Sequence, residues 1–203
     1  MIKKIVLTAI ALVSFLSVDV QAAISEDVVK ESIVKHSMEM GVDPALALSI
    51  AKKESGFKHE LKSPYGAVGV FQVLPSTAKK IGYNPYYLNE NIKAGLTYYK
   101  MMYKMFGTTE LALAAYNAGP GNVKKYGGTI PPFRETKRFV NVIMNDYHQQ
   151  KLNPDPAIAK YAQKAAIAPN SKTEVTSSPK PVDLPDLKEI PETRQEESVM
   201  EIL

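Results

Sequence analysis

Glu54 is the residue whose setting first suggests chemistry. It stands near the end of a segment with clear helix signals. Asp43 can cap, Pro44 sits at the first helical position, and Ala45 to Ala51 propagate the helix. Gly56 is placed to stop it. Leu46, Ile50 and Glu54 are spaced by four, so they share one face, and that face is apolar. A carboxylate at the edge of an apolar face is partly desolvated. It also lies near the negative end of the helix dipole. Both effects favour the protonated form, which a general acid needs to protonate a glycosidic leaving oxygen. Taken alone, Glu54 reads more simply as an ion pair with Lys58 at i+4.

The neighbouring segments change that balance. Ser63-Pro64-Tyr65-Gly66-Ala67-Val68-Gly69-Val70-Phe71-Gln72 is punctuated by glycine and ends in a short apolar run. Glycines let backbone approach a ligand or take positive φ. Ser63 and Gln72 carry hydroxyl and amide groups suited to sugar hydroxyls and acetamido groups. An ordinary turn packed on the helix accounts for the same residues. Ala115-Tyr116-Asn117-Ala118-Gly119-Pro120-Gly121 ends a helix in a forced reversal. There Tyr116 reads equally as a core aromatic with a satisfied hydroxyl.

The elements that must position these groups are helical. Ser25 is the expected cap of a first helix, with Glu26 and Asp27 in its first turn. Pro75-Ser76-Thr77-Ala78 starts another. Asn89 is the expected cap of a long helix in which Ile92, Leu96, Tyr99, Tyr103 and Phe106 form one apolar face. Helices over about 110–116 and 135–148 follow. No stretch shows sustained strand alternation. The expected class is mainly α, with little or no sheet.

Composition sets the limits. The chain has 203 residues, 45% hydrophobic and 23% charged, which is globular composition. The absence of cysteine excludes disulfides, Cys-ligated zinc and a thiol nucleophile. His36, His59 and His148 lie far apart in sequence without metal-ligand spacing, so neither metal nor cofactor is expected. Residues 1–22 read as a cleaved secretory signal. Lys3 and Lys4 form the n-region, 5–18 is apolar, and Val20 and Ala22 are the small residues before the cut. The apolar run is short for a membrane anchor, so a periplasmic location with no stable span is expected. Residues 23–152 form the expected domain. Residues 153–203 hold seven of the 14 prolines and read as an acidic, Pro-rich, disordered tail, with room for a short helix over 157–168.

Charge is unevenly distributed. Residues 171–203 carry four basic and eight acidic side chains, and residues 1–22 carry two basic and one acidic. With a total of +4, residues 23–170 hold +7. A basic domain fits a polyanion, and export favours cell-wall glycan over nucleic acid. A soluble surface accounts for the charge as well.

Four segments in order, Glu54-Ser55, the run ending Gly69-Val70-Phe71-Gln72, Asn91-Ile92-Lys93-Ala94-Gly95 and Ala115-Tyr116-Asn117-Ala118-Gly119, resemble the soluble lytic transglycosylase family. The resemblance spans about residues 28–148. It implies a lysozyme-like helical fold with a glycan groove. It also implies that Glu54 is the catalytic acid and base, and that Ser63, Gln72, Tyr116 and Asn117 line the groove. Glu135-Thr136-Lys137-Arg138-Phe139-Val140 resembles the family's last motif, with Phe139 where a tyrosine is usual. Glu135 and Phe139 therefore join the substrate-binding set. The small forms with a signal resemble wall-opening factors of secretion and conjugation systems, which makes apparatus proteins candidate partners of the tail.

The family's reaction uses one carboxylate, because the C6 hydroxyl of the muramic sugar is the nucleophile and the product is a 1,6-anhydro end. A lysozyme-type hydrolase remains the alternative, with Glu60, Glu90 or Asp146 as second acid. A glycan-binding assembly module without turnover is the other.

Overall fold

The computed structural model describes residues 24–167. The segment assigned to the signal, and residues 168–203 of the tail, lie outside the described residues. Eight helices follow one another: α1 (Glu26–Glu39), α2 (Pro44–Ser55), α3 (Pro75–Lys80), α4 (Leu88–Phe106), α5 (Thr109–Ala118), α6 (Pro120–Lys125), α7 (Arg134–Leu152) and α8 (Pro156–Ile167). Among the described residues β pairing is limited to isolated bridges, Lys62 with Val68 and Val68 with Val73. The mainly helical class expected from the sequence is the one observed.

Local signals explain most boundaries. Asp43 Oδ1 accepts from the Ala45 amide at 2.9 Å, and Pro44 opens α2. Gly56 closes it at φ 59°. Thr108 caps α5 by accepting from the Leu111 amide at 3.3 Å. Ser25 stands at the N-cap of α1, but its side chain makes no capping bond. The cap expected at Asn89 falls elsewhere. Tyr87 is the extended residue before α4, and its carbonyl accepts from the Asn91 amide, so Asn89 lies inside the first turn.

α4 is the central helix. Ile92, Leu96 and Tyr99 are buried as expected, but Tyr103 is 46% exposed. The buried set instead continues through Tyr98, Met101 and Met102. The single face read from the sequence is too narrow, because α4 packs on α1 and α5 at once. Leu46, Leu48 and Ile50 of α2 and Ala112 to Ala115 of α5 join the same core. Fully burying a Leu or Ile side chain contributes about 1.5–3 kcal/mol, so this core outweighs any single polar contact below.

α2 and α7 also share a polar seam. Lys52 Nζ meets Asp146 Oδ1 at 2.5 Å, and Lys151 Nζ meets Asp43 Oδ2 at 2.9 Å. The Tyr147 hydroxyl donates to Asp43 Oδ2 at 3.0 Å. α8 lies in the segment assigned to the tail, where a short helix was expected. Ala157, Ile158 and Tyr161 pack on the core, so the packed body runs past residue 152.

Candidate active site

Glu54 is the penultimate residue of α2 and is half-buried. Behind it, Leu46 and Ile50 are buried, so its helix face is the core-directed one. The helix stops at Ser55, and Gly56 and Phe57 both take left-handed backbone, at φ 59° and 66°. Lys58 therefore lies beyond the helix end, outside the next helical turn.

The residue after Glu54 ties the helix end to the glycine-rich segment. Ser55 Oγ donates to the Val70 carbonyl at 2.9 Å and to the Ala51 carbonyl at 3.3 Å. The segment itself, 61–73, is a loop closed on itself. Val68 and Val73 exchange both backbone bonds at 3.1 Å, and the Gly69 amide donates to Leu61 at 2.9 Å. Gln72 adopts φ 46°, a conformation costly for a residue with a Cβ. Its amide nitrogen donates to the carbonyls of Leu61 at 3.0 Å and Gly69 at 2.9 Å. Those bonds hold the strained residue in place.

Two helices clamp this loop from outside. From α4, Asn91 Oδ1 accepts from the Phe71 amide at 2.9 Å. Its Nδ2 donates to the carbonyls of Val68 at 2.9 Å and Pro85 at 3.0 Å. From α5, the Tyr116 hydroxyl donates to the Phe71 carbonyl at 2.9 Å. Gly95 gives the loop room: a Cβ there would lie 2.4 Å from Phe71 Cβ. Asn91 and Gly95 belong to a motif quoted from the sequence, yet neither stood among the candidate site residues. The fixed partners of Asn91 are backbone groups, which leave no trace in composition.

α7 completes the wall. Thr136 Oγ1 donates to Asn117 Oδ1 at 2.9 Å, joining the start of α7 to the end of α5. The Phe139 ring stacks on Tyr116 with centroids 6.4 Å apart and planes 10° apart. Lys53 of α2 lies 3.6 Å from Glu135 Oε1, with its ammonium 5.4 Å from the Phe139 ring centre. A cation over a ring face is favoured, modestly where water reaches it.

The structure thus draws together the segments that carry all seven candidates, and it divides their roles. Glu54, Ser63 and Glu135 keep exposed surface. Ser63 Oγ accepts from the Ala67 amide at 3.0 Å, which leaves its hydroxyl hydrogen to offer a ligand. Gln72, Tyr116 and Asn117 are 5–6% exposed, and Phe139 is 1% exposed. These four brace the wall more than they line it. Phe139 is covered by Tyr116 and Lys53.

Comparison with known proteins places the arrangement. A model of the Transglycosylase SLT domain family matches residues 31–137. The soluble lytic murein transglycosylase of Escherichia coli K12 is 32% identical over 58% of this chain and 22% of its own length. A transglycosylase of Enterobacteria phage PRD1 is 29% identical over 70% of this chain and 50% of its own. Among solved structures, the 70 kDa soluble lytic transglycosylase of Escherichia coli is similar at TM-score 0.54 and 28% identity, over 62% of this chain and 25% of that one. A complex of the 70-kDa soluble lytic transglycosylase with bulgecin A gives TM-score 0.55 at 26% identity. The chain spans about a quarter of the Escherichia coli enzymes and half of the phage enzyme, and the residues matched by the family model include Glu54. With more than half of its residues matched by the family model, the chain belongs to the Transglycosylase SLT domain family.

Proposed function

We propose that this protein is a peptidoglycan lytic transglycosylase that cleaves the MurNAc–GlcNAc β-1,4 bond. The observation that carries this reading is the placement of Glu54. Its half-buried carboxyl stands at a helix end that Ser55 binds to a doubly clamped loop. A proton-transfer group needs such fixed surroundings to meet one oxygen repeatedly. Glu54 donates its proton to the leaving O4 as the C1–O4 bond breaks. The C6 hydroxyl of the same muramic sugar then bonds to C1, and its proton returns to Glu54. The product is a 1,6-anhydro muramic end, and neither water, metal nor cofactor takes part. Tethering of the nucleophile replaces the second carboxylate.

Two of the three other candidate acids support this assignment. Asp146 is held by Lys52 and Gln150 in the α2–α7 seam. Glu90 accepts from the Asn84 amide at 2.6 Å. Exposed Glu60 is then the acid left to a lysozyme-type hydrolase. The resemblance to small wall-opening factors supports a role beside a secretion or conjugation apparatus in the periplasm. No helix among the described residues is long and apolar enough to cross a membrane.

The test is digestion of purified sacculi, with the muropeptides resolved by mass spectrometry. Anhydro-muramic ends are expected, and reducing muramic ends would replace this reading with hydrolysis. Glu54→Gln should lower turnover by several orders of magnitude while leaving the melting temperature near that of the parent. A Glu54→Gln protein that still lysed sacculi would end the proposal, and lysis by neither protein would favour a binding module.

A further inference from the structure

A concave surface lies between α1 and α8. It is a groove of about 450 Å³. Val28, Tyr161 and Ala165 provide apolar surface, and Lys35, Lys160 and Lys164 provide charge. Val28 is 51% exposed, although it sits on a helix whose other face is core. Lys160 is paired with Glu31, the one acid in the lining. Lys35 reaches Glu39 only at 4.0 Å. The lining therefore combines apolar side chains with a net positive charge, and it fits a peptide that alternates acids with aliphatic side chains.

We infer that residues 196–203 of the same chain are the occupant. Their sequence is Glu196-Glu197-Ser198-Val199-Met200-Glu201-Ile202-Leu203. Its three acids complement a lining of three lysines and one acid, net +2, and it carries four aliphatic side chains for the apolar lining. In sequence, Val199, Met200 and Leu203 stand at three- and four-residue steps, interleaved with Glu197 and Glu201. Position favours the chain's own segment over a foreign one. The chain leaves α8 at Ile167, two residues beyond Ala165 in the groove wall. The 28 residues from 168 to 195 can reach about 90 Å at full extension, at roughly 3.3 Å each. The groove lies well inside that reach. An intramolecular contact also meets an effective concentration on the order of millimolar, so a weak site is filled. This inference is independent of the chemistry at Glu54.

The lack of cysteine permits a clean test on the full chain. A nitroxide is attached at Ser198→Cys, beside the apolar side chains, in isotope-labelled protein, and amide signals are compared with the reduced label. Signals of Val28, Lys35, Tyr161 and Ala165 should fall by at least half, while those of α5 and α6 stay unchanged. Lys35→Glu with Lys164→Glu, both at exposed positions, should restore them without altering the rest of the spectrum. High salt should also restore them, since the screening length falls to about 3 Å at 1 M. Broadening elsewhere, or none, would overturn the inference. So would broadening seen only when spin-labelled and isotope-labelled molecules are mixed, which would assign the groove to a second copy.

Discussion

The Tyr116 hydroxyl donates to the Phe71 carbonyl at 2.9 Å, across 45 residues of sequence. One end of that bond is the last turns of α5, and the other is the loop bound to the helix end that carries Glu54. Tyr116 is held in turn by Phe139 stacked beneath it and Tyr98 at 5.2 Å. Tyr116→Phe keeps the ring packing and leaves the Phe71 carbonyl buried without this donor. A loss of about 1–3 kcal/mol is expected, or roughly 2–4 °C in Tm for each kcal/mol. Activity on sacculi should fall further than the remaining folded fraction explains. Unchanged stability and turnover would show that the bond does not position the loop.

Asn91 clamps the same loop from α4 with three bonds. Asn91→Asp keeps the shape and the acceptor, but it removes both donors in a fully buried site. The Pro85 carbonyl then loses this donor, at about 1–3 kcal/mol, while the Val68 carbonyl keeps the Val73 amide. The new carboxylate also lacks a cation. The deficit relative to the parent should narrow on acidification, because a neutral carboxylic acid regains one donor. Urea unfolding at neutral and acid pH measures this, and a deficit independent of pH would contradict the account.

How far the site could be read in advance follows the same division. The helix that holds Glu54 is legible because a cap, a proline, an apolar face and a terminating glycine all act locally. The segment around Gly69 and Gln72 was legible as backbone needing unusual dihedrals. Asn91 was not, since its role is to satisfy backbone groups that are distant in sequence. The cover over Phe139 is not legible in sequence for a related reason. A ring at a motif position says nothing of whether Tyr116 and Lys53 cover it. The outer turn of α4 failed too, because a helix buried on several sides loses the simple stripe that exposes its register.

Gly95 is where a single carbon should be felt. An added Cβ would fall 2.4 Å from both Cβ and Cγ of Phe71, whose side chain is fully buried. Phe71 cannot yield freely, since its amide is held by Asn91 and its carbonyl by Tyr116. Alanine is the better helix former by about 1 kcal/mol, so propensity alone predicts stabilisation. Overpacking in a closed core costs about 1–3 kcal/mol and should win. Gly95→Ala is expected to lower Tm by calorimetry and to reduce turnover through the displaced loop. A raised Tm would mean that α4 and the loop are less tightly joined than their hydrogen bonds imply.

Acid should unfasten the α2–α7 seam before the core. Burial pushes the Asp43 carboxyl up, but the Lys151 ammonium, the Ala45 amide and the Tyr147 hydroxyl outweigh it and hold it below its ordinary value. Burial likewise opposes, and Lys52, Gln150 and Ser49 overcome, the same balance at Asp146. A carboxylate whose pKa is lower in the folded state binds protons more tightly in the unfolded state. Its stabilisation is complete above the ordinary carboxylate pKa of about 3.9 and is lost as pH falls through the lower, folded value. Tm should therefore hold between neutral pH and about pH 5 and decline below about pH 4. Asp43→Asn with Asp146→Asn keeps a capping oxygen at position 43 and removes both titrations. That variant should be less stable at neutral pH and show a shallower acid decline. Parallel Tm curves for the two proteins would place the acid sensitivity elsewhere.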